Sequence, residues 1–273
     1  PDDLWLVGEQ GQEVNLIYHF DGRTWADVKV GGNAGLFAVR GRGTKDIWAT
    51  GELSLVHYDG VAWKSVLNRS QLRNTDYLSS VWPSSSTDVW VAGEELFHSD
   101  GINLTPVTNV QGNPTSASQH LWGVDPEDVW LAGRTLYHSA GSHSAAAWLR
   151  ASQGPLSFVH QIVATSPFDL WAIGGDDASR NGDPKGIYHW NGTTWIEQPM
   201  PTLAKGKIYA FDSIWGTSPR DVWVTAVADG GSSIQDVLFR FDGSAWSQVS
   251  AGIVGEVPRF GKLWGRSASD LWL

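Results

Sequence analysis

Cysteine is absent from this chain of 273 residues, which excludes disulfide staples, thiolate nucleophiles and zinc sites built on thiolates. That absence fits a reducing and an oxidising compartment equally. Basic residues are scarce: 19 Lys and Arg stand against 29 Asp and Glu, a formal charge of −10. Phosphate backbones and anionic membrane surfaces are held by clustered cations. No such cluster occurs, so nucleic acid is excluded as a partner. No stretch approaches the ~18 apolar residues of a membrane-spanning helix, which excludes membrane insertion of that kind. No window of about 11 residues carries a helical apolar period, so a helical solenoid is out as well. Gly-x-Ser-x-Gly, His-Glu-x-x-His and a phosphate loop are also missing.

What the chain does contain is one phrase, Asp-(Val/Leu/Ile)-Trp, seven times over. Its aspartates are Asp3, Asp46, Asp88, Asp128, Asp169, Asp221 and Asp270, at intervals of 43, 42, 40, 41, 52 and 49 residues. Periods of this size build propeller blades or paired helices. Within each unit apolar and aromatic residues alternate over short stretches, and Asp-Gly or Asn-Gly separates two of them: Asp21-Gly22, Asp59-Gly60, Asp100-Gly101, Asn191-Gly192 and Asp242-Gly243. That pattern predicts two-residue hairpin turns. Ala140-Gly141 fills the place in the fourth unit. The expected fold is all-β: a single β-propeller domain over 1–273, built of four-stranded antiparallel blades with six complete repeats. Because the sequence begins and stops inside the same strand of the repeat, it reads as cut from a longer protein. A six-bladed and a seven-bladed parent both remain open.

The 17 tryptophans all fall in repeated places. Seven belong to the phrase. Trp82, Trp122, Trp215 and Trp264 stand six residues before its Asp, Trp25, Trp63, Trp148, Trp195 and Trp246 follow the turn, and Trp190 precedes Asn191. Packing between blades is the reading for these rings rather than a ligand cage. His19, His57, His98, His138 and His189 share another place, two residues before the turn, which Arg240 takes in the sixth unit. Equivalent places lie in different blades, so these histidines do not converge on one metal. They are expected to bond backbone or a turn carboxylate, and the repeated aspartates to cap their turns.

Ser218-Pro219-Arg220-Asp221-Val222-Trp223 and His57-Tyr58-Asp59-Gly60-Val61-Ala62-Trp63 resemble the repeat propellers of environmental bacteria such as myxobacteria. The layout is also similar to the Asp-box repeats of sialidases and to the photosystem assembly factors. The resemblance covers the whole chain and implies a propeller. It implies no one function, because such frames host binding, scaffold and hydrolase roles. An Asp box spaces its Asp and Gly by one residue, whereas here they are contiguous. The arginine triad and Tyr/Glu pair of sialidases match no set of positions, so no catalytic residue is carried over.

Function is therefore sought where the repeat breaks. Arg40 and Val163 replace Trp six residues before the repeated Asp, and a lone Arg lining a channel could hold an anion, or else reach a neighbouring carboxylate. Units five and six are lengthened by loops that carry Asp176, Asp177, Asn181 and Asp183, and Asp229. Asp176, Asp177 and Asp183 are hard oxygen donors of the sort calcium takes, although the spacing of a helix-loop-helix calcium site is missing. A further insertion spans Ser142 to Ala147. The expectation is a non-catalytic extracytoplasmic propeller, secreted, periplasmic or at the cell surface, that binds a protein or surface partner without a cofactor. A glycan-binding propeller is the alternative. A glycosidase or lyase with a carboxylate pair at the channel mouth is a second.

Overall fold

A computed structural model describes residues 3–9, 15–30, 35–67, 77–108, 110, 120–140, 147–151, 158–175, 186–203, 206–229, 234–249 and 260–273. No helix occurs among the described residues. The chain divides into two compact units, Pro1–Leu131 with Tyr137–Arg150, and Ala132–Leu136 with Ala151–Leu273.

The first unit opens on a three-stranded blade of β1 (Leu4–Glu9), β2 (Asn15–Phe20) and β3 (Trp25–Asp27). Blade two is β4 (Leu36–Gly43), β5 (Asp46–Gly51), β6 (Ser54–Tyr58) and β7 (Trp63–Ser65). Blade three is β8 (Ser80–Ser85), β9 (Asp88–Ala92), β10 (Leu96–Ser99) and β11 (Leu104–Pro106). Blade four is β12 (His120–Asp125), β13 (Asp128–Ala132), β14 (Tyr137–Ala140) and β15 (Ala147–Arg150). The second unit holds blade five, β16 (Phe158–Ser166), β17 (Asp169–Gly175), β18 (Gly186–Trp190) and β19 (Trp195–Glu197). Blade six follows with β20 (Ile208–Ser218), β21 (Asp221–Asp229), β22 (Ile234–Phe241) and β23 (Trp246–Val249), and then the pair β24 (Trp264–Ser267) and β25 (Asp270–Trp272). Every sheet is an antiparallel meander in chain order. As the repeat predicts, each Asp-x-Trp from Asp46 onward opens the second strand of its sheet, while Asp3 immediately precedes β1, the opening strand of the three-stranded blade.

One carboxylate ties three strands of the blade together. Asp46 Oδ1 accepts from Trp48 Nε1 at 2.9 Å and from His57 Nε2 at 2.8 Å, and the His57 ring stacks on Trp48 at 4.1 Å. Asp3 does the same for Trp5 and His19 at 2.9 and 2.8 Å, and Asp128 for Trp130 and His138 at 3.0 and 2.5 Å. In blade six Arg240 replaces histidine, and its Nε donates to Asp221 Oδ1 at 3.0 Å beside Trp223 Nε1 at 2.9 Å. The second oxygen faces the turn: Thr217 donates its hydroxyl to Asp221 Oδ2 at 2.7 Å, and Ser84 and Thr165 do so to Asp88 and Asp169. Val124 occupies that place in blade four, and Asp128 Oδ2 is buried without a partner among the described residues.

The outer hairpins correct one expectation. Phe20 pairs with Trp25, Tyr58 with Trp63, Trp190 with Trp195 and Phe241 with Trp246, so four residues, not two, lie in each loop. The side chain of the first loop residue causes the widening. Asp242 Oδ1 accepts the backbone N–H groups of Ser244 and Ala245 at 2.8 and 3.0 Å, and Asn191 serves Thr193 and Thr194 alike. The glycine that follows sits at φ +90 to +97 in these two loops, a region open to Gly. Two accepted amide bonds, with a hydroxyl bond from Ser244 first among the causes, hold the Asp242 carboxyl down at about 2.

Blade packs on blade through the repeated tryptophans. Trp90 of blade three meets Trp148 of blade four edge-on at 5.0 Å, and Trp171 of blade five meets Trp246 of blade six at 6.1 Å. Leu104 takes the corresponding place in blade three and joins the cluster around Trp48. Trp48, Trp90, Trp130, Trp171 and Trp223 are all buried, as their internal positions predict. First strands are clipped to the first strand of the next blade by polar side chains. Ser80 Oγ accepts Leu121 N–H at 3.0 Å, Gln161 Nε2 donates to Ile214 O at 3.1 Å, and Ser213 Oγ accepts Leu263 N–H at 3.0 Å.

Trp82 lies flat over Gly123 of blade four and donates its Nε1 to that residue's carbonyl at 3.1 Å. A Cβ on Gly123 would come within 2.5 Å of the indole, whereas one on Gly8 would meet nothing within 4 Å. Gly123→Ala must push a buried ring, and we expect a loss of about 1–3 kcal/mol in urea unfolding. Gly8→Ala, the control, should change stability by less than about 0.5 kcal/mol. Equal effects of the two would contradict the packing described.

Candidate binding surface

In the first unit the first strands β4, β8 and β12 lie side by side, and the break in the repeat falls on them. Arg40 stands opposite Trp48 in the β4–β5 register. Its guanidinium reaches past β8 and rests 3.8 Å from the centre of the Trp122 ring on β12. The side chain is half-buried: some of its surface meets water, yet enough protein surrounds it for desolvation to push its pKa down to about 10. Among the described residues no carboxylate lies within ion-pair distance and no acceptor takes its N–H groups. Arg240 makes the contrast, since it also lies over a tryptophan, Trp223 at 5.2 Å, but has Asp221 to neutralise it. Of the two roles the sequence left open for Arg40, a neighbouring carboxylate is not found among the described residues.

The second unit carries a group that the repeat pattern did not single out. His160 on β16, Asp212 on β20 and Lys262 just before β24 stand on successive first strands. The His160 ring bonds the backbone carbonyl of Asp212. Burial, with Lys262 adding to it, pushes His160 down to about 4 against the pull of that bond. Burial also lowers Lys262, opposed by the charge of Asp212. Both side chains keep surface open to water while packed closely enough for desolvation to act. The available signal was that His160 falls outside the place shared by the five repeated histidines.

Asp229 ends β21 and is half-buried, with the Tyr209 hydroxyl donating to its Oδ2 at 3.4 Å. It closes a strand end rather than projecting from a loop. Asp176, Asp177, Asn181 and Asp183 lie outside the described residues, as does most of the Ser142 to Ala147 insertion. Within blades five and six, the strands that lead into the two long loops, β17 and β21, end at the edge where the first strand of the same blade begins, with Phe158 opposite Gly175 and Ile208 opposite Ala228. Among the described residues no three His, Asp or Glu side chains gather as a metal would require.

The same edge of the first unit exposes an aromatic pair. Phe37 at the start of β4 and Tyr77 before β8 are 43 % and 42 % exposed, and their rings stack at 6.0 Å and 26°. The Glu52–Tyr77 bridge pins one ring's backbone to blade two.

No protein-family model matches the chain, and no curated protein matches it. Solved structures do. YCF48 bound to D1 peptide is 18 % identical, with a TM-score of 0.67 over 98 % of this chain and 85 % of that one. The chain is a β-propeller. YCF48 from Cyanidioschyzon merolae is 14 % identical at a TM-score of 0.55, covering 88 % of this propeller and 77 % of its own chain. A luciferin-regenerating enzyme is 11 % identical at 0.51, covering 85 % of each. At such identities the likeness carries the propeller fold alone.

The depressed His160 fixes a sign. Unfolded histidine takes up a proton near pH 6.5, so between about pH 6.5 and 4 the folded propeller binds fewer protons than the unfolded chain. The contribution of neutral His160 is complete above that window and is lost as pH falls through it. Stability measured by urea unfolding should therefore decline less between about pH 7 and 4.5 in His160→Gln than in the parent. Parallel decline in both would show that His160 titrates normally.

Proposed function

We propose that this propeller is a non-catalytic binding module for a protein partner, which it engages as an extended peptide segment. The observation that carries this reading is that YCF48, whose frame matches 98 % of this chain, is bound to a peptide. The chain's own surface supports it. The Asp-centred nodes make a rigid frame, and rigid frames present binding residues on the edges and loops that differ from blade to blade. The stacked Phe37–Tyr77 pair offers apolar area with few rotatable bonds, the composition of an interface anchor.

A glycan partner is the second reading, favoured by the same exposed pair, because sugar rings stack on aromatic faces. One comparison separates the two. The chain is immobilised and offered a displayed random-peptide library and, in parallel, a glycan array. Peptides should be enriched, and Phe37→Ser with Tyr77→Ser should weaken them at least about tenfold, or 1.4 kcal/mol. Retention of glycans with no peptide enriched would replace the protein reading by the glycan one.

A further inference from the structure

The geometry points to an oxyanion-binding site at Arg40, for a carboxylate or phosphate group presented to the first strands of blades two to four. The inference goes beyond the protein-binding reading and does not need it, because a free anion suffices to occupy the site.

The reasoning begins with charge. The chain carries ten more acidic than basic side-chain charges, so carboxylates are plentiful, yet none of the described ones neutralises this guanidinium. Charges taken out of water are ordinarily paired or become neutral, and a guanidinium does not become neutral at physiological pH. Arg40 remains a cation with part of its hydration removed, to about 10 from the usual arginine range. Trp122 compensates in part by offering the negative face of its ring at 3.8 Å.

Geometry then says what remains to be bound. Stacking uses the flat face of a guanidinium and leaves its edge free. That edge carries five N–H donors in a fixed fork that matches two oxygens of a carboxylate or phosphate. Trp122 holds the plane from below, with His120 stacked alongside at 6.4 Å and 13°. Trp82, on β8 between β4 and β12, is anchored by its Nε1 on the Gly123 carbonyl. The fork is thus orientated before a ligand arrives, which lowers the cost of binding. In the four other units with aromatic residues at this place the ring is Trp, so a cation here is specific to blade two. A residue kept for packing alone would pack at least as well as an indole. Arg40 instead leaves its five donors without an acceptor among the described residues.

The test uses the full chain with two probes, inorganic phosphate and acetate, each titrated at ionic strength held constant with sodium chloride. Arginine side-chain NMR gives the readout. One Nε–H signal should shift saturably, with a Kd on the order of 1 mM as befits a ligand of four or five heavy atoms. In Arg40→Met that signal is absent and affinity falls at least tenfold, while the unliganded Tm equals or exceeds the parent's, since an uncompensated charge has gone. Tighter binding of phosphate assigns the natural group as phosphate, and tighter binding of acetate as carboxylate. Should the Met variant fail to fold, Arg40→Lys keeps the charge without the fork and should still bind at least fivefold more weakly. The inference is overturned if no arginine signal saturates with either probe, or if the folded variant binds as the parent does.

Discussion

An aspartate carboxylate at the head of the Asp-x-Trp strand, held by a cation or imidazole from the strand that follows, is what the rest of this propeller depends on. In blades one, two and four one oxygen accepts from an indole N–H and an imidazole N–H at once. In blades three and five Asp88 and Asp169 accept from histidine, while Trp90 and Trp171 Nε1 have no partner among the described residues. His57 stacked on Trp48 and His189 stacked on Trp171 at 4.3 Å then present one flat, stiff surface to the adjoining blade. The tolerance of the node follows from its chemistry. Arg240 replaces histidine because a guanidinium also offers an N–H to Asp221 and a flat face to Trp223. Loss of the donor four residues before the Asp is survivable at Val124, at the cost of a buried oxygen.

Much of this was legible in the sequence because it is local. Asp46, Trp48 and His57 lie within 12 residues, and their repetition marked them as structural before any contact was known. The four-residue outer loops were not legible. Asp-Gly signals a turn, but its length depends on whether the carboxylate takes two amides of the loop, as Asp242 does. Trp82 over Gly123 was hidden for another reason. The two residues are 41 apart, and only packing of successive blades reveals that an inner tryptophan requires a glycine beyond it. His160, Asp212 and Lys262 stand where the units vary in residue type, so only the position of His160 outside the shared histidine place pointed to them.

The repeat also explains why the proposed binding places are sought where the units differ. A ring of like units presents like surfaces, and one ligand is recognised only by what differs. Arg40 differs from Trp82 and Trp122 in charge, and Phe37 and Tyr77 differ from their neighbours in leaving rings exposed. Each is a place where packing was given up. Proteins carry such local losses at functional sites and compensate elsewhere; here the compensation is the set of buried nodes.

The central claim is that the node binds as a unit rather than as separate contacts, and a double-mutant cycle on Asp46 and His57 tests it most directly. Asp46→Ala, His57→Ala and the double variant are compared with the parent by urea unfolding. A bonded pair stacked on a shared tryptophan should give a coupling energy of about 1–2 kcal/mol, with each single change nearly as costly as both together. Additivity within about 0.3 kcal/mol would mean that the two side chains act independently and that the blades are held by apolar packing alone.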